Sequence, residues 1–316
     1  MTARRLSLLG FMFLAWSAAA CSSEGEGLSP DITRDAGAPE AGDIAPPCGP
    51  STLLAGTFAL SFAGVDYGYV VHLPPSYDGT KRTPLVLNWH GLTSNAAQQQ
   101  VFSAFDAVAD EEGLIVVYPN SPDASWNAGT CCASATMRDD VGFARALVAE
   151  ISGKACVDAK RIYSTGMSNG AFMSFRLGCE AADLFAAVAP VAGKIGVADC
   201  RPARSVPLLA IHGTADTLVP YATGGLSADM MTVPETAKKW ADLDACTEGP
   251  NTILERGNAR CESWTGCKDG ATVTLCTVEG GGHCWPGQSF CPYGTSTVDI
   301  DASREIAAFF RGFKLP

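Results

Sequence analysis

The residues Gly166-Met167-Ser168-Asn169-Gly170-Ala171 decide the interpretation of this chain. They follow a strand-like run at 161–165 and precede a helix-like run at 171–179. Glycines on both sides of a serine allow a sharp strand-to-helix turn that lifts the serine hydroxyl above a sheet. The pattern therefore predicts that Ser168 is a nucleophile. The structural alternative is that Ser168 only caps the following helix.

A nucleophilic serine needs a histidine to take its proton and a carboxylate to orient that histidine. In α/β-hydrolases the three occur in the order serine, acid, histidine. Only two of the four histidines, His212 and His283, follow the serine. His212 ends a predicted buried strand, so Asp216 in the next loop is the predicted acid and His283 the predicted base. The alternative acids are Asp199 and Asp229.

Two backbone N–H groups are predicted to stabilise the oxyanion that forms when the serine attacks. One is the N–H of Asn169, at the start of the predicted helix, where the helix dipole favours negative charge. The other is the N–H of Leu92, in the turn after a strand that ends at His90-Gly91. His90 is expected to shape this turn and not to transfer protons.

Short apolar runs alternate with helical patterns along the chain, which is typical of an α/β protein. Runs without polar alternation are typical of buried parallel strands. Strands are predicted at 69–73, 84–89, 114–118, 162–165, 187–191, 208–212 and 273–278, and helices at 101–111, 140–151, 171–179 and 303–310. The pattern therefore predicts an α/β protein with a mostly parallel central sheet, helices on both faces and no large lid domain.

Composition places the chain among globular proteins and argues against two kinds of partner. Of its 316 residues, 47% are hydrophobic and 17% are charged, which is enough to bury a large core. The net charge is −11 and the sequence pI is about 4.8. Nucleic acid and anionic membrane surfaces are thus not expected as partners, because binding either requires a basic face.

The first fifty residues are typical of an export signal followed by a linker. Arg4 and Arg5 precede an apolar stretch that is too short to cross a bilayer comfortably, so residues 1–20 are predicted to be a signal peptide. Ala18–Cys21 resembles a bacterial lipobox, which predicts lipidation of Cys21; the alternative is an ordinary secretory signal.

Residues 21–50 are acidic and rich in Gly and Pro, and they are predicted to be a linker. Residues 51–316 are predicted to form the α/β-hydrolase catalytic domain. We therefore expect an exported protein, either a cell-envelope lipoprotein or a secreted one, which touches a membrane only through its lipid anchor. The oligomeric state does not follow from the sequence.

Thirteen cysteines indicate an oxidising compartment. If Cys21 carries lipid, the other twelve could all pair. The adjacent Cys131 and Cys132 are expected to have different partners, whereas Cys284 and Cys291 could close a local loop. The cysteine and histidine spacing of a zinc site is not present, so structural disulfides are expected. The serine mechanism needs neither a metal nor a cofactor.

Several sequence blocks occur together in the order found in one family. They are Leu-Asn-Trp-His-Gly at 87–91, Trp-Asn-Ala-Gly at 126–129, the serine turn, Ala-Pro-Val-Ala-Gly at 189–193, Ile-His-Gly-Thr-Ala-Asp at 211–216 and Gly-Gly-His at 281–283. Over residues 60–312 the chain resembles the polyhydroxybutyrate depolymerase and feruloyl esterase family of secreted, carbohydrate-esterase-like hydrolases. The resemblance implies an α/β-hydrolase fold, secretion and ester hydrolysis. Cys284 departs from it, because the family often has threonine there.

The expected function is that of a secreted serine esterase, which hydrolyses a carboxylic ester through an acyl-enzyme. Feruloyl or other hydroxycinnamoyl esters of plant polysaccharide are the first choice of substrate. Short-chain polyhydroxyalkanoate and acetylated xylan are the alternatives. Trp126 and Trp285 are candidate walls of the substrate pocket, and each could equally be part of the core. A function of a different class would be that of an inactive, tethered carbohydrate-binding lipoprotein.

Overall fold

A twisted sheet is the centre of the part of the chain that the structure describes. This computed structural model describes residue 48 and residues 51–132, 138–224 and 230–316. Within them the sheet has ten strands in the order β1-β2-β4-β3-β5-β6-β7-β10-β9-β8. The strands are β1 Gly56–Phe62, β2 Val65–His72, β3 Thr83–Trp89, β4 Ile115–Asn120, β5 Val157–Met167, β6 Ala187–Val191, β7 Leu208–Gly213, β8 Glu248–Arg256, β9 Ala259–Thr265 and β10 Val273–Val278.

Parallel pairing joins the six strands in the middle of the sheet, from β4 through β3, β5, β6 and β7 to β10. An antiparallel hairpin extends each side, β1–β2 beside β4 and β8–β9 beside β10. Every residue of β6 and β7 is buried, as expected for parallel strands covered on both faces. The prediction of a mostly parallel central sheet is confirmed.

Helices cover both faces of this sheet. They are α1 Ala96–Ser103, α2 Phe105–Glu112, α3 Asp140–Lys154, α4 Asn169–Glu180, α5 Val233–Leu243 and α6 Ala302–Arg311, with a 3₁₀ turn at Lys268–Gly270. Side chains of α3, α4 and α5 belong to one apolar cluster, and those of α1, α2 and α6 to a second. Successive residues of β3 alternate between them, since Leu85 and Leu87 are in the first cluster and Val86 in the second.

Two helical segments differ from the sequence prediction. The helix predicted at 101–111 is two helices, α1 and α2, because Ala104 between them has a left-handed backbone with φ 45°. Helix α5 was not predicted. Its signal was present, however, since Thr232 and Glu235 form a reciprocal capping box ahead of its apolar residues.

Six disulfides join the twelve cysteines that the structure describes. Five link separate positions and one links neighbours: Cys48–Cys156, Cys179–Cys200, Cys246–Cys267, Cys261–Cys276, Cys284–Cys291 and Cys131–Cys132. The prediction of different partners for Cys131 and Cys132 is wrong. The other ten cysteines pair among themselves, which leaves these two as each other's partner.

The predicted signal peptide, Cys21 and nearly all of the predicted linker lie outside the described residues, which include only Cys48 from this region. Among the described helices, none combines the length and apolarity needed to cross a membrane.

Candidate active site

Ser168 occupies the turn between β5 and α4. Its backbone has φ 57° and ψ −123°, a conformation that a residue with a side chain rarely adopts. The glycine at 170 is needed here, because a Cβ on Gly170 would lie 2.1 Å from the carbonyl oxygen of Trp89. The Ser168 side chain forms no capping hydrogen bond with α4, which argues against the capping alternative.

Asp216 and His283 are hydrogen-bonded in the interior. His283 Nδ1 lies 2.7 Å from Asp216 Oδ2, and both side chains are almost completely buried. The other carboxylate oxygen, Oδ1, accepts hydrogen bonds from the backbone N–H groups of Leu218 (2.9 Å) and Val219 (2.8 Å). Burial opposes ionisation of Asp216, but the hydrogen bonds from His212 and His283 outweigh it and hold its pKa below the ordinary value.

His283 lies in the loop after β10. Its backbone N–H donates to the carbonyl oxygen of Tyr293 at 3.0 Å, and the N–H of Gly282 donates to that of Thr295 at 2.9 Å. His283 and Ser168 both line one cavity. Within the described residues the imidazole is hydrogen-bonded to Asp216 and not to Ser168 Oγ. Hydrogen bonds between nucleophile and base are often long without substrate and shorten when it binds.

The alternative acid that the structure describes, Asp199, does not compete with Asp216. Asp199 has a largely exposed side chain and pairs with Arg201 at 2.6 Å. Asp229 lies outside the described residues. Of the two candidate acids that the structure describes, Asp216 is the one in contact with a histidine that lines the cavity.

The turn at 90–92 lies against the serine. A Cβ on Gly91 would come within 3.2 Å of the Ser168 Cβ, and Leu92 lines the cavity. Asn169 is the first residue of α4, so its backbone N–H has no intrahelical partner. Asn169 itself is fully buried behind the serine and is not among the cavity-lining residues. The backbone assignments of Leu92 and Asn169 therefore stay predictions.

His90 holds this turn in place. Its Nδ1 donates to the carbonyl oxygen of Gly91 at 2.7 Å, and its Nε2 accepts from the backbone N–H of Ser121 at 3.2 Å. Burial lowers the pKa of His90 to about 4, so its ring is neutral at physiological pH. This arrangement agrees with a turn-shaping role for His90.

His212 is part of the site although its role was not identified from the sequence. Its Nε2 lies 2.8 Å from the carbonyl oxygen of Val219 and 3.2 Å from Asp216 Oδ2. Its position four residues before the predicted acid, at the end of the same strand, was the available signal. His212 thus fixes the loop that presents the carboxylate.

Lys194 supports the same loop from the protein interior. Its ammonium group is buried and donates to three backbone carbonyls at 2.9–3.1 Å, those of Pro220, Thr223 and Gly224. Burial lowers the pKa of Lys194, and nearby Asp216 opposes that shift. Nothing in the sequence pattern distinguished this lysine from a surface residue.

The cavity beside Ser168 has a volume of about 590 Å³. Its walls are mostly apolar, with a few polar groups from α1 and the preceding turn. The lining residues are Gly91, Leu92, Thr93, Ser94, Gln98, Gln99, Phe102, Cys131, Cys132, Met167, Ser168, Leu218, Val219, His283, Cys284, Trp285, Phe290, Pro292 and Tyr293.

The two predicted pocket tryptophans differ in position. Trp285 lines the cavity and donates its indole N–H to Ser303 Oγ at 3.0 Å. Trp126 does not line it, so the prediction for Trp126 is wrong. Trp126 is fully buried, packs edge-on against Trp89, and is held by two hydrogen bonds between its backbone and the Asn169 side chain.

Known proteins that are similar in sequence to this chain carry the names of esterases. The sequence profile described as Esterase PHB depolymerase matches residues 67–206. The chain is 39% identical over 230 residues to Feruloyl esterase B of Piromyces equi, covering 68% of this chain and 42% of that protein. It is 33% identical over 263 residues to Putative esterase NocK of Nocardia uniformis subsp. tsuyamanensis, covering 75% of each.

A solved structure supports the fold. The acetyl xylan esterase from Aspergillus awamori matches with a TM-score of 0.58 at 17% identity, covering 81% of this chain and 99% of that one. At this identity the likeness concerns the α/β-hydrolase fold alone. The chain spans less than half the length of Feruloyl esterase B, so the two proteins are alike over only part of the relative.

Proposed function

The chain belongs to the polyhydroxybutyrate depolymerase and feruloyl esterase family, and from this premise we propose that it is a serine carboxylic-ester hydrolase. Ser168 is the nucleophile, His283 the general base and Asp216 the carboxylate that orients it. The observation that carries the proposal is the 2.7 Å bond between His283 Nδ1 and Asp216 Oδ2, with His283 and Ser168 on one cavity.

The reaction proceeds in two halves. Ser168 Oγ attacks the ester carbonyl carbon while His283 Nε2 takes the hydroxyl proton. The resulting oxyanion accepts hydrogen bonds from the N–H groups of Leu92 and Asn169. The tetrahedral intermediate then expels the alcohol, which takes the proton from His283.

Water completes the cycle. It attacks the acyl-enzyme and gives a proton to His283, and Ser168 leaves with that proton as the carboxylic acid is released. Asp216 stays ionised throughout, which agrees with the direction of its pKa shift, and stabilises the imidazolium that forms in each half.

Hydroxycinnamoyl esters of plant polysaccharide are the proposed substrates. Relatives carrying the name feruloyl esterase support this choice, and so do the aromatic side chains in the cavity wall. Short-chain polyhydroxyalkanoate is the second candidate, supported by the matching family profile. Acetylated xylan is the third, supported by a relative named as a bifunctional acetylxylan esterase/xylanase.

We also propose that the protein is exported. Six disulfides among the described residues support an oxidising compartment. Residues 1–20 would be the signal peptide, Cys21 the lipidated residue and residues 21–50 the linker to the catalytic domain at 51–316. Mass spectrometry of the mature N-terminus tests the lipid.

Replacement of the nucleophile tests the proposed chemistry. Ser168→Ala is expected to lower kcat for 4-nitrophenyl acetate by about 10⁴-fold or more, because no hydroxyl remains to be acylated. A fluorophosphonate should add to Ser168, and peptide mass spectrometry locates the adduct. Ser76→Ala is the matched control, since Ser76 is exposed and does not line the cavity. Near-normal turnover by Ser168→Ala would exclude Ser168 as the nucleophile. No turnover by the parent protein and no fluorophosphonate adduct on Ser168 would favour the inactive binding protein instead.

A further inference from the structure

We propose that Phe102, Phe290 and Tyr293 form a subsite for the aromatic ring of the acyl group, and that the Cys284–Cys291 disulfide holds it beside the catalytic base. We call these three residues the aryl wall. The inference rests on the proposed function and deepens it, because it assigns the discrimination between aromatic and aliphatic acyl groups to particular side chains.

Exposure and position together mark the aryl wall. Phe290 is 65% exposed and Tyr293 is 54% exposed, and both line the cavity that contains Ser168. Other large apolar side chains, such as Val101 and Val298, are equally exposed but do not line it. Single exposed apolar residues are ordinary on protein surfaces, whereas a group of them at one concave site indicates a binding surface.

The rings of the aryl wall are ordered with respect to one another and to the base. Phe102 of α1 and Phe290 stack with centroids 6.0 Å apart and an angle of 19° between planes. Tyr293 packs edge-on against His283 at 6.3 Å. Tyr293 is thus beside the imidazole, and the stacked Phe102–Phe290 pair lines the same cavity.

The loop that carries Phe290 and Tyr293 is tied at both ends to the segment of the base. Cys284 follows His283 directly and is bonded to Cys291, so the loop closes after seven residues. Beyond the disulfide, the Tyr293 carbonyl accepts the backbone N–H of His283 at 3.0 Å. A displacement of this loop would move Phe290, Tyr293 and the base together.

The chemistry of these side chains matches a planar aromatic acyl group. Aromatic rings attract one another in offset or edge-on contacts beyond the burial of apolar area. An acetyl or 3-hydroxybutyryl group has no ring with which to make such contacts. Ser94 and Gln98 line the same cavity and can exchange hydrogen bonds with a phenolic hydroxyl.

Acyl selectivity in a single-residue variant tests the aryl wall. The measurement is the ratio of kcat/KM for 4-nitrophenyl ferulate to that for 4-nitrophenyl acetate, since both esters share a leaving group. Phe290→Ala is expected to lower the ratio by about three- to tenfold, the size of one aromatic contact. Val298→Ala, which removes an equally exposed apolar side chain outside the cavity, should leave the ratio unchanged. A ratio within twofold of the parent for Phe290→Ala overturns the subsite.

A disulfide variant tests the tether. Cys284→Ser with Cys291→Ser is expected to lower the same ratio at least as much as Phe290→Ala, whereas Cys246→Ser with Cys267→Ser, which removes a remote disulfide, should not. An unchanged ratio in the first pair overturns the role of the disulfide.

Different results would refute the esterase mechanism and the aryl subsite. If the parent enzyme hydrolyses neither ester and Ser168 is not labelled by fluorophosphonate, the esterase mechanism is wrong and the subsite falls with it. If both esters are hydrolysed and Phe290→Ala does not change the ratio, the mechanism stands and only the subsite is wrong.

Discussion

At the scale of single residues, both carboxylate oxygens of Asp216 have polar partners. Two backbone N–H groups, at Leu218 and Val219, bind one oxygen, and the imidazoles of His283 and His212 approach the other. The carboxylate is therefore both oriented and kept ionised. A side chain so constrained cannot be replaced without changing the tautomer or the angle of His283.

Asp216→Asn is expected to lower kcat by about 10³–10⁴-fold while the protein stays folded. The amide cannot stabilise the imidazolium, and it favours the wrong tautomer of His283. Steady-state kinetics with 4-nitrophenyl butyrate measures the effect, with Asp199→Asn as the control because Asp199 is exposed. Activity within tenfold of the parent would show that another carboxylate serves His283.

Chain order identified the Asp216–His283 pair. With Asp216 assigned as the acid in the loop after the strand that ends at His212, His283 was the one histidine left to be the base. The support from His212 and Lys194 could not be predicted in that way. Their contacts depend on where a loop folds back: the four-residue spacing between His212 and Asp216 is only a partial signal, and Lys194 has none. Trp126 shows the same limit, because an indole in a glycine-rich segment can belong either to a cavity or to the core.

At the scale of secondary-structure elements, the loop after β7 carries the proposed acid and is anchored in the protein interior. Asp216 lies at its start, and residues 220–224 end over the ammonium group of Lys194. A lysine is seldom buried, and this one is balanced by three carbonyl oxygens that would otherwise lack donors. Lys194 thus positions the loop without touching the proposed triad.

Lys194→Met is expected to destabilise the protein by about 2–4 kcal/mol, because it removes charge-assisted hydrogen bonds from buried carbonyls. The same change should lower kcat more than it raises KM, since the acid loop loses its support. Chemical denaturation and kinetics measure the two effects. The control is Lys239→Met on the exposed side of α5. Stability within about 0.5 kcal/mol of the parent would refute the supporting role.

Buried elements were predicted best. The strands at 187–191 and 273–278 have the predicted bounds, and 208–212 differs from β7 by one residue. Strands β1, β8 and β9 were missed, because none of them is a continuous buried run: β1 and β8 are the edges of the sheet, and β9 alternates between buried and more exposed residues. In β8, eight of nine residues are exposed, so its pairing with β9 rather than its composition makes it a strand.

At the scale of the whole molecule, stability should depend on a carboxyl group far from the chemistry. Asp244 at the end of α5 is fully buried, and its Oδ1 accepts from the backbone N–H of Val206 at 3.0 Å. Its Oδ2 has no hydrogen-bond partner among the described residues. Burial raises the pKa of Asp244 to about 7, whereas an unfolded chain would have a value of about 4.

The sign of this effect on folding follows from linkage. Between pH of about 4 and about 7 the folded state binds more protons at Asp244 than the unfolded state, so its contribution lowers stability as pH rises. Above pH of about 7 the ionised carboxylate destabilises the folded state by its full amount, and this destabilisation no longer changes with pH. Asp244→Asn removes it and should stabilise the protein by about 2–4 kcal/mol at pH 8 but little at pH 4.

Urea unfolding of the parent and Asp244→Asn at both pH values measures the difference, because all other titrating groups are shared. Asp242→Asn, an exposed neighbour on α5, is the control. A gain that is the same at both pH values would indicate an effect of packing rather than of ionisation.

The pairing of the chain's last residues with β5 bears on when this protein can first act. The Leu315 N–H donates to the Lys160 carbonyl, and the Tyr163 hydroxyl to that of Phe313. The strand that presents the nucleophile is thus bonded to a segment 150 residues further along the chain. On the proposed mechanism a polypeptide that extends past Asp216 but not to His283 carries the serine and the acid and has no base. The proposed esterase activity is therefore expected only after His283 has been synthesised and its loop has folded against Asp216.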